Sequence, residues 1–293
     1  MSQPYDAILI VSFGGPEHRD DVIPFLENVL RGKPVPRERL LEVAEHYYHF
    51  EGVSPINGQV REFISALRGE LDRGGVDLPL YWGNRNWHPM LSDTIQTMTQ
   101  DGRKRVLAFF TSAYSSYSGC RQYRENVTDA CAAVGPNAPT IDKIRVFYNH
   151  PNFVAANVER IRAARDKIPE SLRPLMRLAF TAHSIPLSMA NNCNYATQLQ
   201  ETCSLIAQEL DLRPEQWSLV YQSRSGRPTD PWLEPSVVDH VRTLGEQGIQ
   251  SLVIAPVGFV SDHMEILFDL DEEAQAACSE QGITMSRAHT VGT

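Results

Sequence analysis

Glu265, Asp269 and Glu273 stand four residues apart in the segment Gly258-Phe-Val-Ser-Asp-His-Met-Glu265-Ile-Leu-Phe-Asp269-Leu-Asp-Glu-Glu273. In a helix, that spacing puts the three carboxylates on one face. Residues 261–280 contain seven acids and neither lysine nor arginine, whereas a solvated helix ordinarily carries basic partners at i+4. Two readings fit the pattern. One is an acidic surface helix whose N-terminal dipole favours carboxylates. The other is a ladder of oxygen ligands for a divalent cation, ending at Glu265. His183 closes the apolar run Leu178-Ala-Phe-Thr-Ala-His183. It is either a hydrogen-bonded core residue or a group that handles a proton or a metal. Its neighbour Ser184 lacks the G-x-S-x-G elbow of a nucleophilic serine.

Two further motifs bear on ligands. Gly14-Gly15-Pro16 follows an apolar run but is not G-x-G-x-x-G, and no P-loop lysine accompanies it, so a dinucleotide site is rejected. The stretch Ser112-Ala-Tyr114-Ser-Ser-Tyr117-Ser-Gly-Cys120-Arg-Gln-Tyr123 reads either as a tyrosine-rich surface loop or as a cradle for a large planar ligand with anionic edges.

The elements that position these residues are legible as periodicity. Short β-branched or aromatic runs occupy 7–13, 78–82, 105–111, 143–148, 177–182, 218–222 and 251–259. Val60, Phe63, Leu67 and Leu71 recur at helical spacing, as do Val154, Val158 and Ile161, and Leu199, Cys203, Ile206 and Leu210. Strands alternating with helices predict an α/β protein with largely parallel sheets covered on both faces. A boundary is placed at His150-Pro151, giving domains 1–150 and 151–293, and the polar block 168–174 reads as a surface connection. Ligands of open α/β sheets sit beyond the carboxyl ends of the strands. Polar, aromatic or metal-binding side chains follow six of the runs, which suggests one shared cleft.

Composition sets limits on partners. A chain of 293 residues, 42% hydrophobic, can bury two cores, and the formal net charge of −9 argues against a nucleic-acid binder. Five cysteines without a C-x-x-C pair offer neither a disulfide framework nor a zinc knuckle. The opening residues show no secretory leader, and the apolar runs are too short to cross a bilayer, so a cytoplasmic protein is expected.

Taken together, several stretches resemble the ferrochelatase family. They are Val11-Ser-Phe-Gly-Gly-Pro16, Arg31-Gly-Lys-Pro34, Gly52-Val-Ser-Pro-Ile56, Asn84-Arg-Asn-Trp-His-Pro89, Thr181-Ala-His-Ser-Ile-Pro186, Tyr221-Gln-Ser-Arg-Ser-Gly226, Pro231-Trp-Leu-Glu-Pro235 and Pro256-Val-Gly-Phe-Val-Ser-Asp-His-Met-Glu265. Their wording is closest to actinobacterial-type members, many of which act on coproporphyrin III. The resemblance implies two Rossmann-like (chelatase-type) domains with a porphyrin cleft between them, and insertion of Fe²⁺ into coproporphyrin III or protoporphyrin IX for haem biosynthesis. It assigns His183 and Glu265 to catalysis and metal handling, leaving open which takes protons and which delivers iron. A histidine side chain with the ordinary value of about 6.5 is mostly neutral at pH 7, suited to either task.

By the same resemblance, Asp269 and Glu273 form a metal path or a secondary divalent cation site for Mg²⁺. The porphyrin contacts are Phe13, Arg31, Ser54 and Tyr123. Phe13 stands where several relatives have a tyrosine able to ligate product iron, and His46-Tyr47 where some have Arg-Tyr. Fe²⁺ is a substrate, and no prosthetic group is expected. The [2Fe–2S] cluster of some relatives uses cysteines in a C-terminal tail beyond the matched stretches, and none is expected here; the sequence reads as ending short of that tail's last helix. A monomer is expected. The alternatives are a cobalt or nickel chelatase of a sirohydrochlorin-type ring and a non-catalytic porphyrin or haem carrier.

Overall fold

The computed structural model describes residues 4–227 and 229–292. The chain divides into two compact units, one built from residues up to 112 with 118–145, the other from 113–117 with 146–292.

In the first unit, β1 (Ala7–Ser12), β2 (Leu80–Asn84), β3 (Arg105–Phe110) and β4 (Thr140–Lys143) form a parallel sheet in the order β2-β1-β3-β4. Alternation along the central strand directs its residues to opposite faces. Ile8 and Ile10 pack with Ile56 and Val60 of α3 (Ile56–Arg73), while Leu9 and Val11 pack with α4 (Leu91–Gln100) and α5 (Gln122–Val134). A satellite cluster around Phe25 joins α1 (Val22–Val29) to α2 (Arg37–His49).

The second unit repeats the plan. β5 (Arg177–His183), β6 (Trp217–Gln222), β7 (Ser251–Ala255) and β8 (Thr284–Arg287) are parallel, in the order β6-β5-β7-β8. Leu178, Phe180 and Ala182 face α6 (Pro151–Arg165) and α8 (Tyr195–Glu209), and a four-residue α7 (Leu187–Ala190) precedes α8. Ala179 faces α9 (Val237–Glu246) and the helix over 264–280.

That last helix begins as α10 (Met264–Ile266), becomes a π-helix over Leu267–Ala274 and ends as α11 (Gln275–Glu280). The sequence supplies a reason. Ile266, Leu270, Ala274 and Cys278 are fully buried at a strict four-residue interval. At 3.6 residues per turn, each such step overshoots by about 40°, so an α-helix would carry the stripe off the core within three steps. The wider turn of i→i+5 bonding lags where the α-helix overshoots, so α and π stretches in succession offset each other's drift and keep the stripe on the core. Glu265, Asp269 and Glu273 each precede a member of this stripe, so the acidic row runs beside the buried one.

Two expectations are corrected here. The run 143–148 is not a strand. β4 lies earlier, and the chain leaves the sheet after Ile144 N bonds Ala108 O. Phe147 and Tyr148 are apolar because they pack on the core of the second unit, Phe147 edge-on to Phe153. Within the nominally polar block 168–174, Ile168 is fully buried. β8, Thr-Met-Ser-Arg, was invisible to pattern reading because a short edge strand needs little β-branched character.

Candidate active site

His183 ends β5, and its position is fixed by backbone bonds. Ser184 N donates to Gln222 O (2.8 Å), and Tyr195 Oη donates to His183 O (3.0 Å). The loop after β7 passes close by, with Gly258 N donating to Thr181 O (3.0 Å). A Cβ on Gly258 would lie 2.6 Å from Ala182 Cβ, so only glycine permits this approach. The loop then delivers His263 and Glu265 to the end of β5.

His183 Nδ1 lies 2.5 Å from Ser184 O. A carbonyl can only accept, so in the neutral ring Nδ1 carries the hydrogen and Nε2 carries the lone pair. Nε2 is 3.7 Å from Glu265 Oε2. That is too long for a hydrogen bond. It matches the span of two metal–ligand bonds of about 2.1 Å meeting at an open angle. His263 Nδ1 stands 4.0 Å from the same oxygen, and burial lowers the affinity of its imidazole for a proton. Ser184 is buried with its hydroxyl donated to Leu233 O (2.8 Å), which removes it as a nucleophile.

Asp269 accepts from Ser223 Oγ and, at 3.3 Å, from Gln222 Nε2. Burial, with the neighbouring charges of Glu265 and Glu273 acting the same way, pushes its carboxyl up to about 7, against the pull of those two donors. The ladder carboxylates therefore do sense one another. Among the described residues, no three His, Cys, Asp or Glu side chains converge closely enough to hold a metal ion. His183 and Glu265 are thus an open two-donor pair.

The basic partner missing from the local sequence comes from β8. Arg287 donates to Asp271 through Nε (2.6 Å) and Nη2 (2.9 Å) and to Asp262 through Nη1 (3.0 Å). It pins both the loop before His263 and the π-helix. Sequence reading overlooked it because the charge lies outside the acidic window. Asp262 is almost closed from solvent, its side chain 9% exposed, so removing Arg287 would take the 3.0 Å cation away from a buried carboxylate, whose contact with His289 Nδ1 is longer at 4.0 Å. Arg287→Met is expected to cost about 3 kcal/mol or more, read as a lowered urea midpoint; a loss below about 1 kcal/mol, as for an exposed pair, would contradict this.

In the first unit, Phe13 and Tyr123 share one cation. The Arg85 guanidinium lies 4.4 Å from the Tyr123 ring and 5.5 Å from the Phe13 ring. Tyr123 is buried beneath it, and burial raises its phenol. Ser54 is buried against Gly15, where a Cβ would meet Ser54 Cβ at 2.7 Å. That close approach accounts for Gly15, and a φ of +81° with Asn84 Cβ at 2.9 Å from a Cβ accounts for Gly14, without any phosphate. Arg31 is exposed and donates to Asn28 Oδ1. Of the tyrosines in the 112–123 stretch, Tyr117 is exposed, whereas Tyr114 is buried with its hydroxyl on Val257 O (2.9 Å) in the second unit. Tyr114 is therefore a core residue, not part of a surface cradle.

Comparison with solved structures defines the class. The chain resembles the sirohydrochlorin chelatase of Bacillus subtilis subspecies spizizenii determined with cobalt, with a TM-score of 0.55 at 9% identity, covering 99% of this chain and 88% of that one. At that identity the likeness establishes a chelatase-type fold alone. The family model for ferrochelatase matches residues 5–293, and the chain belongs to the ferrochelatase family. Its relatives include a ferrochelatase of Rhodopirellula baltica, 57% identical over 99% of this chain and 82% of the relative. Another is a coproporphyrin III ferrochelatase of Streptomyces griseus, 50% identical over 99% of this chain and 81% of the relative. Among the described residues, no helix is long and apolar enough to cross a membrane.

Proposed function

We propose that the protein inserts Fe²⁺ into a porphyrin in haem biosynthesis, with coproporphyrin III as the preferred ring. The observation that carries the reading is the face-to-face placement of His183 Nε2 and Glu265 Oε2 at 3.7 Å in a chain of the ferrochelatase family. Insertion of a divalent ion releases two pyrrole N–H protons while the ion sheds water. The site must offer a neutral base and donors that hold the metal briefly. His183 Nε2, left basic by the contact of Nδ1 with Ser184 O, is assigned the protons. Glu265, at the start of the helix that continues through Asp269 and Glu273, is assigned delivery of iron. The two side chains are 34% and 51% exposed, open enough for a substrate to reach both.

Hard carboxylate oxygens suit Fe²⁺ on its way in and also a secondary Mg²⁺ ion, so Asp269 and Glu273 are assigned as that path. Phe13 and Tyr123 with their shared Arg85, together with Arg31 and Ser54, are assigned to the ring and its carboxylates. In this account residues 151–293 carry the metal chemistry, residues 1–150 supply the ring contacts, and the protein acts as a cytoplasmic monomer.

The choice of ring is supported by the names of the Streptomyces and other actinobacterial relatives. It is tested by kcat/KM for coproporphyrin III against protoporphyrin IX under anaerobic conditions. A clear preference for coproporphyrin III is expected; preference for protoporphyrin IX would overturn the substrate assignment and leave the chelatase reading in place.

A further inference from the structure

Two costs fall on adjacent residues at the end of β6, and both converge on one oxygen. Ser223 has φ +57°, in the left-handed region where glycine is the unstrained choice. Its hydroxyl is donated to Asp269 Oδ2. Gln222 is 3% exposed, and its Nε2 donates to the same Oδ2 at 3.3 Å. The carbonyl oxygen of that amide is buried without a hydrogen-bond partner, an arrangement that disfavours folding. Strain and an unsatisfied acceptor that persist together mark a site where position matters more than stability.

We propose that Gln222 and Ser223 are positioning residues that fix Asp269 Oδ2 and so present Oδ1 as the oxygen that passes Fe²⁺ to Glu265. The inference rests on the metal-path reading of Asp269 given above. With two neutral donors on one carboxylate oxygen, the carboxylate cannot rotate freely, and its second oxygen keeps one direction. The backbone bond from Ser184 N to Gln222 O ties this clamp to the strand end that carries His183. A glycine at 223 would relieve the backbone and remove one of the clamp's two donors, leaving Gln222 Nε2 alone on Oδ2. Serine is therefore present for its hydroxyl.

The test uses full-length protein without porphyrin, with Co²⁺ as a probe followed by its visible absorption, and steady-state kinetics alongside. Ser223→Gly should keep or raise the melting temperature, because the strain is relieved. Ser223→Gly and Gln222→Met should each weaken Co²⁺ binding and raise KM for Fe²⁺ by about fivefold or more, the loss of one hydrogen bond to a charged group, with porphyrin KM moving less than about twofold. Two results would overturn the proposal. One is Co²⁺ affinity and Fe²⁺ KM unchanged in both variants. The other is a lowered melting temperature with Fe²⁺ and porphyrin KM rising equally, the mark of a merely structural role. If the parent protein metallated no porphyrin yet the variants lost Co²⁺ affinity as expected, the clamp would stand and the proposed function would fall.

Discussion

His183→Ala is expected to lower Fe²⁺ insertion by about 10²–10⁴-fold, the range for loss of a positioned general base, while porphyrin still binds. The expectation follows from the ring's surroundings. Ser184 O holds Nδ1, so Nε2 is the one nitrogen free to accept a pyrrole proton. The other nearby imidazole, His263, is disfavoured as a substitute, because burial already lowers its proton affinity. Porphyrin binding should persist because the residues assigned to the ring and its carboxylates lie in the first unit. Fluorescence titration with porphyrin and anaerobic metallation on the same preparation separate the two effects. A variant that still turned over at the parental rate would remove His183 from the chemistry. One that lost porphyrin binding in step with activity would make it a binding residue.

The second large effect concerns stability and pH. Asp269 titrates at about 7 in the folded protein and near 3.9 in an unfolded chain. Between those values the folded state keeps a proton that the unfolded state has released. Stability therefore falls as pH rises through this window and levels off above it. At about 1.4 kcal/mol per unit, the decline attributable to this one group approaches about 4 kcal/mol. Asp269→Asn imitates the protonated carboxyl and should erase that slope. We expect the variant to match the parent near pH 4 and to exceed it by up to about 4 kcal/mol at pH 8, in urea unfolding followed across the range. Parallel curves for the two proteins would show that Asp269 is ionised without cost. The outcome matters for function, because a carboxyl that stays ionised only at the expense of the fold is better suited to passing a cation on than to storing it.

Much of this arrangement is legible in the sequence. The central strands β1, β5 and β7 announce themselves as apolar runs because both faces of each sheet are covered. His183 and the acidic row were visible as residue types at strand ends and at fixed spacing. What escaped was non-local. The counter-charge for Asp262 and Asp271 comes from Arg287 on an edge strand with no compositional signature. The tyrosine-rich stretch mixes an exposed Tyr117 with a buried Tyr114, and both belong to the second unit, to whose core Tyr114 contributes. The run 143–148 looked like a strand because packing on a neighbouring core demands the same residues as a sheet does. The π-helix did leave a signal. The strict four-residue stripe Ile266, Leu270, Ala274, Cys278 fits α and π turns in succession better than an α-helix alone, and it adjoins the acidic row. The clamp on Asp269 left none, since φ at Ser223 and the unpartnered Gln222 carbonyl are properties of the fold alone.

The most direct test of the account is multiple-turnover metallation. Purified protein is given Fe²⁺ and an excess of coproporphyrin III without oxygen, and porphyrin fluorescence is followed as iron quenches it. Catalysis predicts that many equivalents of porphyrin per protein lose their fluorescence, at a rate proportional to protein. Tight binding of one equivalent, with the remaining porphyrin unchanged, would contradict it and mark the protein as a carrier.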